Sequence, residues 1–314
     1  MPRYENLEPT DLNSFPLVLK WALTRKQPPW PRWVDSVPGP PPPPKVAGTG
    51  LRATVVNHAT VLLQGGGANL LCDPHWGERC SPVSWAGPKR VRAPGLRFED
   101  LPPIHAVLIS HNHYDHLDRP TLTRLGRAFP AARLVTGLGV GRSIPEAWDG
   151  RVTELDWWQS AEAAPGLRVT YVPGRHFSAR GPFDRWASRW GGFVAEWPGG
   201  PVYFAGDTGY GRHFRMIRRR FGAMRLAVLP VGAYLPRWFM RHHHMDPADA
   251  VKAFRDLGAD WGLGMHYGTF QLADEAYDAP LKDLDLALKR GKVQAGRFRA
   301  PEFGKGWTLG RGKP

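Results

Sequence analysis

Apolar residues gather along this chain in short runs, and most runs stop at a glycine, proline, aspartate or histidine. Segments 51–57 and 60–64 alternate like paired strands around His58-Ala59, Gly65-Gly66-Gly67 predicts a tight turn, and 69–72 returns as a third strand. Runs at 106–109, 133–136, 152–155, 167–172, 226–231 and 261–265 are apolar enough to predict buried strands. A hairpin is expected from 192–197 and 202–205 across Pro198-Gly199-Gly200. Helical patterns lie between them: 120–129 follows Asp118 in N-cap position, 247–257 follows Asp246, and 280–289 carries Leu281, Leu284, Leu286 and Leu288. Strands alternating with helices predict an α/β fold, with 297–309 closing it as edge strands.

Residues 1–45 have a different texture. Segment 16–26 predicts a short helix with a broad apolar surface and a basic margin, open to docking on the protein's own core or resting at a lipid interface. Segment 28–44 is dense in proline, which predicts an extended arm without regular structure. The expected division is therefore 1–45, an N-terminal helix and arm, and 46–314, one large domain.

Composition narrows the partners. The chain has 314 residues and 42% hydrophobic content, ample for one large core. Its formal charge of +14 points to anionic partners such as a phosphate-bearing substrate or a membrane surface, unless it reflects only an arginine-rich solvated surface. No long basic run or aromatic platform accompanies that charge, so nucleic acid is not expected. Cys72 and Cys80 form no metal or redox motif and read as reduced packing residues. Apolar runs fall short of the roughly 20 residues that cross a bilayer. Residues 1–14 are polar and Lys20 interrupts the apolar stretch after them, so no signal peptide is expected. These features predict a cytoplasmic chain, with peripheral membrane contact open.

The strongest chemical signal follows the run at 106–109. His111, His113, Asp115 and His116 stand within six positions, just past a predicted buried strand. Imidazole and carboxylate are ligands that suit zinc, and four donors so close in sequence crowd a single tetrahedral ion. Two adjacent ions relieve the crowding: His111 and His113 point one way, while Asp115 and His116 serve the second. Asp73, at another strand end, can accept the free N–H of a metal-bound histidine.

This stretch resembles the His-Xaa-His-Xaa-Asp-His signature of the metallo-β-lactamase superfamily. The resemblance implies a four-layer αββα sandwich with a binuclear site at one edge of its sheets. It also implies the ligand set: His111, His113 and His176 for one ion, Asp115, His116 and His266 for the other, with Asp207 bridging and His58 in support. An aspartate at 207, where β-lactam-opening members often carry cysteine, argues against antibiotic hydrolysis. The segments 87–90, 108–118, 154–158, 204–210, 232–234 and 236–240 further resemble the N-acylphosphatidylethanolamine-hydrolysing phospholipase D branch. Asn57 and Tyr267 depart from that branch's usual glycine and tryptophan, without removing a ligand.

The branch implies two Zn²⁺, other divalent ions remaining open, and cleavage of a phosphodiester lipid by a homodimer at a membrane. Asp115, Asp207 and His244 are then the catalytic candidates. Tyr234, Arg237 and Trp238 are the substrate contacts, with Trp21, Phe239 and Met240 meeting acyl chains. A lactonase or other carboxylic-ester hydrolase on the same scaffold is the alternative, a nuclease a lesser one.

Overall fold

A computed structural model describes residues 3–10, 15–181 and 183–310; the polar N-terminal stretch read for a signal peptide lies partly outside them. Helix α1 (Phe15–Thr24) precedes an irregular arm, and the first sheet then begins with β1 (Leu51–Asn57), β2 (Thr60–Gly65) and β3 (Ala68–Cys72). These pair antiparallel, whereas β3, β4 (Ala106–Ile109), β5 (Arg133–Gly137) and β6 (Val152–Leu155) pair in parallel. A parallel pair needs a crossover, and α2 (Arg119–Ala128) supplies the one between β4 and β5. Its cap is the expected one: Asp118 accepts the Thr121 amide at 3.3 Å.

The second sheet runs through β7 (Ser160–Ala164), β8 (Leu167–Pro173), β9 (Gly191–Trp197), β10 (Gly200–Phe204), β11 (Leu226–Pro230), β12 (Trp261–Met265) and β13 (Phe298–Arg299). Helices α3 (His213–Phe221), α4 (Arg237–Met240), α5 (Pro247–Asp256) and α6 (Ala279–Arg290) connect its parallel half. The last strand, β14 (Trp307–Leu309), returns to pair with β1, so the C-terminal segment borders both sheets.

Two-residue periodicity explains the layering. Val61, Leu63, Leu70, Cys72, Ala106 and Leu108 face the core shared with the second sheet. Their neighbours Leu62, Leu71, Val107 and Ile109 face the opposite way, onto Leu122, Leu125 and Trp148. Strands buried on both faces read as continuous apolar runs, which is why they were legible. Phe214, Ile217, Val251 and Leu284 cover the second sheet's outer face, completing an αββα sandwich.

The proline arm lies against this body. Prolines offer only a carbonyl, and Gln64 and Asn69 donate their amides to the carbonyls of Pro43 and Pro44 at 2.7 and 2.9 Å. Helix α1 docks through Trp21, whose ring stacks on Phe239 at 4.7 Å and whose indole donates to Asp274 at 2.9 Å.

Candidate metal centre

Each sheet opens toward the same edge, and its strand ends deliver the polar residues there. His111 to His116 follow β4, His176 follows β8, Asp207 follows β10 and His266 follows β12. His58 occupies the β1–β2 turn and Asp73 the residue after β3. His58, Asp73 and His266 have φ of 40°, 41° and 65°, a left-handed conformation that costs a non-glycine residue about 1–3 kcal/mol. Before Asp207, Gly206 at φ 60° approaches so closely that an added Cβ would lie 2.5 Å from Ser110 Cβ.

A hydrogen-bond chain fixes the histidine tautomers. Asp73 Oδ1 accepts the Ser110 amide at 2.7 Å, while its Oδ2 accepts the Ser110 hydroxyl at 2.6 Å and His116 Nδ1 at 2.7 Å. With its proton committed, Ser110 Oγ accepts from His111 Nδ1 at 2.8 Å. The His243 carbonyl accepts from His176 Nδ1 at 3.0 Å. In their neutral forms the Nε2 atoms of His111, His116 and His176 therefore carry lone pairs, aimed inward.

These nitrogens crowd against one another and against two carboxylates. His113 Nδ1 lies 2.9 Å from His111 Nε2 and 3.1 Å from His176 Nε2. His116 Nε2 faces Asp207 Oδ2 at 3.1 Å and Asp115 Oδ2 at 3.2 Å, and His266 Nε2 faces the same two oxygens at 3.2 and 3.3 Å. Asp207 Oδ2 also stands 3.9 Å from His176 Nε2, between the two clusters, and its buried Oδ1 has no hydrogen-bond partner among the described residues. Zinc–nitrogen bonds of about 2.0–2.1 Å in a tetrahedron separate ligand atoms by roughly 3.3 Å. The donor set and its spacing fit two divalent cations.

The charge balance agrees. Burial alone would push the Asp115 and Asp207 carboxyls up, but the charge of His116 and hydrogen bonds from the histidines hold both well below the ordinary carboxylate range. Burial lowers His113 to about 4 and His58 to about 3. On the carboxylate side, Asp207 and Asp115 outweigh burial and raise His266 to about 9, and His116 is likewise held well above its usual value. The two buried carboxylates draw positive charge to this side of the site, carried here by His116 and His266.

His58 stands beside the expected ligands: its Nε2 meets Asp115 Oδ2 at 3.0 Å and its ring lies 4.0 Å from that of His266. His244 closes the other side, its buried Nδ1 3.9 Å from Asp207 Oδ2 and without a hydrogen-bond partner among the described residues. The His242-His243-His244 run is not a surface cluster, since His243 is buried. Above the donors opens a cleft of about 360 Å³, walled by Val18, Trp21, Phe177, Phe239, Met240 and Leu272, with Arg185 at its side. A larger hollow of about 620 Å³ under residues 3–10 contains no histidine.

Three expected substrate contacts stand outside the cleft wall. Arg237 does not reach the cleft: its guanidinium pairs with Asp249 at 2.6 Å and Asp246 at 3.1 Å, and donates to the His244 carbonyl at 2.9 Å. Its carboxylate partners, a few positions downstream, hold it on the loop that carries His244. Tyr234 donates its hydroxyl to Asp283 and lines a separate hollow with Arg237. Trp238 is 43% exposed, packed edge-on against Phe239 and outside the cleft wall. Sequence reasoning missed Ser110, whose place beside His111 was a usable signal. It also missed Arg180, which donates to the Asn112 and Leu117 carbonyls at 2.8 and 3.0 Å and so clamps the metal loop, with no local signal to reveal it.

The description "Beta-lactamase superfamily domain" matches residues 68–267. An N-acyl-phosphatidylethanolamine-hydrolyzing phospholipase D of Caenorhabditis elegans is 34% identical over 270 residues, covering 82% of this chain and 76% of that protein. An uncharacterized protein of Mycobacterium tuberculosis is 41% identical over 239 residues, 74% of this chain and 62% of its own length. Among solved structures, an isothiocyanate hydrolase from Delia radicum gut bacteria shares the fold with a TM-score of 0.64 at 21% identity, over 83% of this chain and 99% of that one. The chain belongs to the metallo-β-lactamase superfamily as a metal-dependent hydrolase, and within it resembles the N-acylphosphatidylethanolamine-hydrolysing phospholipases D.

Proposed function

We propose that the protein is a binuclear zinc phosphodiesterase of phospholipase D type, cleaving N-acylphosphatidylethanolamine-like lipids into an N-acylethanolamine and phosphatidic acid. The observation that carries this reading is the apolar wall standing directly on the donor cluster: Val18, Trp21, Phe239, Met240 and Leu272 border the same cleft as His113, Asp115, His176, Asp207 and His244. An amphiphile fits such a cleft with its phosphate over the donors and a chain along the wall. When bound, two divalent ions supply a shared water whose pKa falls from about 15.7 to about 7, and a hold on substrate oxygen. His111, His113 and His176 would hold one, Asp115, His116 and His266 the other, and Asp207 both. Burial lowers His244 to about 4, so at neutral pH it is an uncharged imidazole that can offer one N–H to a phosphate oxygen.

Peripheral membrane contact belongs to the same proposal. On α1, Val18 and Trp21 face the cleft, while Leu19 and Leu23, at 48% and 77% exposure, project outward. Lys20 lies beside them, its ammonium 5.2 Å from the Trp238 ring, and cations beside exposed leucines suit an anionic lipid surface. The test compares zinc-loaded protein on a long-chain N-acylated phosphatidylethanolamine in mixed micelles, on its deacylated glycerophospho head group, and on a simple lactone. We expect fast turnover of the long-chain diester and a raised KM for it in Trp21→Ala. Faster turnover of the lactone than of either diester would replace this reading with a lactonase.

A further inference from the structure

The segment 3–10, far from the centre along the chain, lies across the loop that carries His176. Asn6, 170 positions from His176, reads both backbone groups of that one residue. Its Nδ2 donates to the His176 carbonyl at 3.0 Å, and its Oδ1 accepts the His176 amide at 3.1 Å. A side-chain amide here does what a neighbouring strand would do, and only an amide offers a donor and an acceptor at that spacing. The same Oδ1 accepts Trp190 Nε1 at 3.0 Å.

The segment is anchored on both sides of Asn6. Upstream, the Tyr4 amide donates to the Trp186 carbonyl at 2.9 Å and the Arg189 guanidinium lies 4.4 Å from the Tyr4 ring. Downstream, the Arg212 amide donates to Glu8 at 2.6 Å and Arg175 Nε donates to Thr10 at 3.4 Å. His176 is thus held at its backbone by Asn6 and at its ring by the His243 carbonyl, 3.0 Å from Nδ1. With both ends fixed, the imidazole cannot swing its Nε2 away from His113.

We propose that Asn6 is a positioning residue of the metal centre, holding His176 in place from a segment outside the catalytic sandwich. This rests on the divalent-metal reading of the site. Loss of a partner that orients a ligand typically weakens metal binding by about 10–100-fold. The test follows zinc release from the full chain to a chromophoric chelator, with the cobalt-substituted absorption spectrum as a second readout.

In Asn6→Ala, one equivalent should leave about 10–100-fold faster, with an altered cobalt spectrum, while the other leaves at the parent rate. Trp190→Phe removes the indole's bonds to Asn6 and to the Gly174 carbonyl but leaves both Asn6–His176 bonds in place, and should release both equivalents as the parent does. Unchanged release in Asn6→Ala, or equal acceleration of both equivalents, overturns the proposal. If Asn6→Ala does not fold, Glu8→Ala loosens the downstream anchor instead; a smaller acceleration of the same equivalent supports the proposal, and none overturns it. A parent protein that takes up no divalent metal would instead overturn the metal reading itself.

Discussion

Asp73→Asn should disable two metal-facing histidines through one buried atom. In the native centre, the three groups that meet Asp73 all donate to it, at 2.6 to 2.7 Å. An asparagine has one acceptor oxygen and an NH₂ that only donates. If its oxygen keeps the Ser110 amide, the NH₂ faces Ser110 Oγ and His116 Nδ1, and His116 must accept there and carry its proton on Nε2. Ser110 Oγ must in turn donate to His111 Nδ1, which moves that proton to Nε2 as well. Two lone pairs aimed at the centre become N–H groups. One orienting partner is worth about 10–100-fold in metal affinity, so disturbing two ligands should weaken binding by at least about 100-fold, roughly 2.7 kcal/mol.

The fold should tolerate the change, because a buried amide with partners on all sides replaces a buried carboxylate of the same shape. Chelator competition reads the affinity, and long-range ¹⁵N–¹H spectra of the imidazoles read the tautomers. Asp207→Ala is the reference: it should abolish most turnover while the sheets stay folded. Parent-like affinity with protons still on Nδ1 of His111 and His116 would refute the tautomer argument. Damage equal to that of Asp207→Ala would make Asp73 a ligand in its own right.

Further outcomes are expected. Gly206→Ala combines a left-handed φ of 60° with a Cβ 2.5 Å from Ser110 Cβ, so urea denaturation should show a loss of about 2–5 kcal/mol; a loss below about 1 kcal/mol contradicts the close approach. Burial, aided by the Arg175 guanidinium, lowers His213 from 6.5 to about 3, so the unfolded chain takes up its proton first. The stability His213 contributes is complete above pH 6.5 and is lost toward pH 3 at about 1.4 kcal/mol per unit; His213→Gln should flatten that limb, and parallel pH profiles would refute the assignment. Zinc at about 100 times its dissociation constant should stabilise the chelated protein by about 2.7 kcal/mol, visible as a melting shift of a few degrees, and identical melting with and without zinc would refute metal binding to the folded centre.

Which parts of the molecule were legible follows from the range of the forces that set them. Strand β12 was readable to the residue, since an apolar run bounded by Asp260 and His266 leaves little freedom. Helix α2 was readable from its Asp118 cap. Strand β7 was not: Ser-Ala-Glu-Ala-Ala has no strand preference, and its conformation comes from pairing with β8, Ser160 opposite Thr170. Helix α3 was overlooked because no side chain caps it and arginines dominate it, although Phe214 and Ile217 keep helical spacing. At the site, the donors at strand ends could be found because strands fix where their next residue goes. Asn6 could not, since its partners are set by how distant segments cross in space; Arg237 was misplaced because its acidic partners, Asp246 and Asp249, lie close by in the sequence and hold it away from the cleft.

The strained turns explain why this centre needs so large a frame. His58, Asp73 and His266 together hold roughly 3–9 kcal/mol of backbone strain, comparable to the roughly 5–15 kcal/mol net stability of an entire folded domain. Such turns persist only where the segments on either side cannot relax. The strands feeding them are buried on both faces, and a shift of one residue in β3 or β4 would exchange the two cores of the first sheet. The donors are therefore presented in place before any ion arrives, with their tautomers set by Asp73, Ser110 and the His243 carbonyl. Rigidity gained in the sheets thus becomes electrostatic preorganisation at their edge, where the apolar cleft begins.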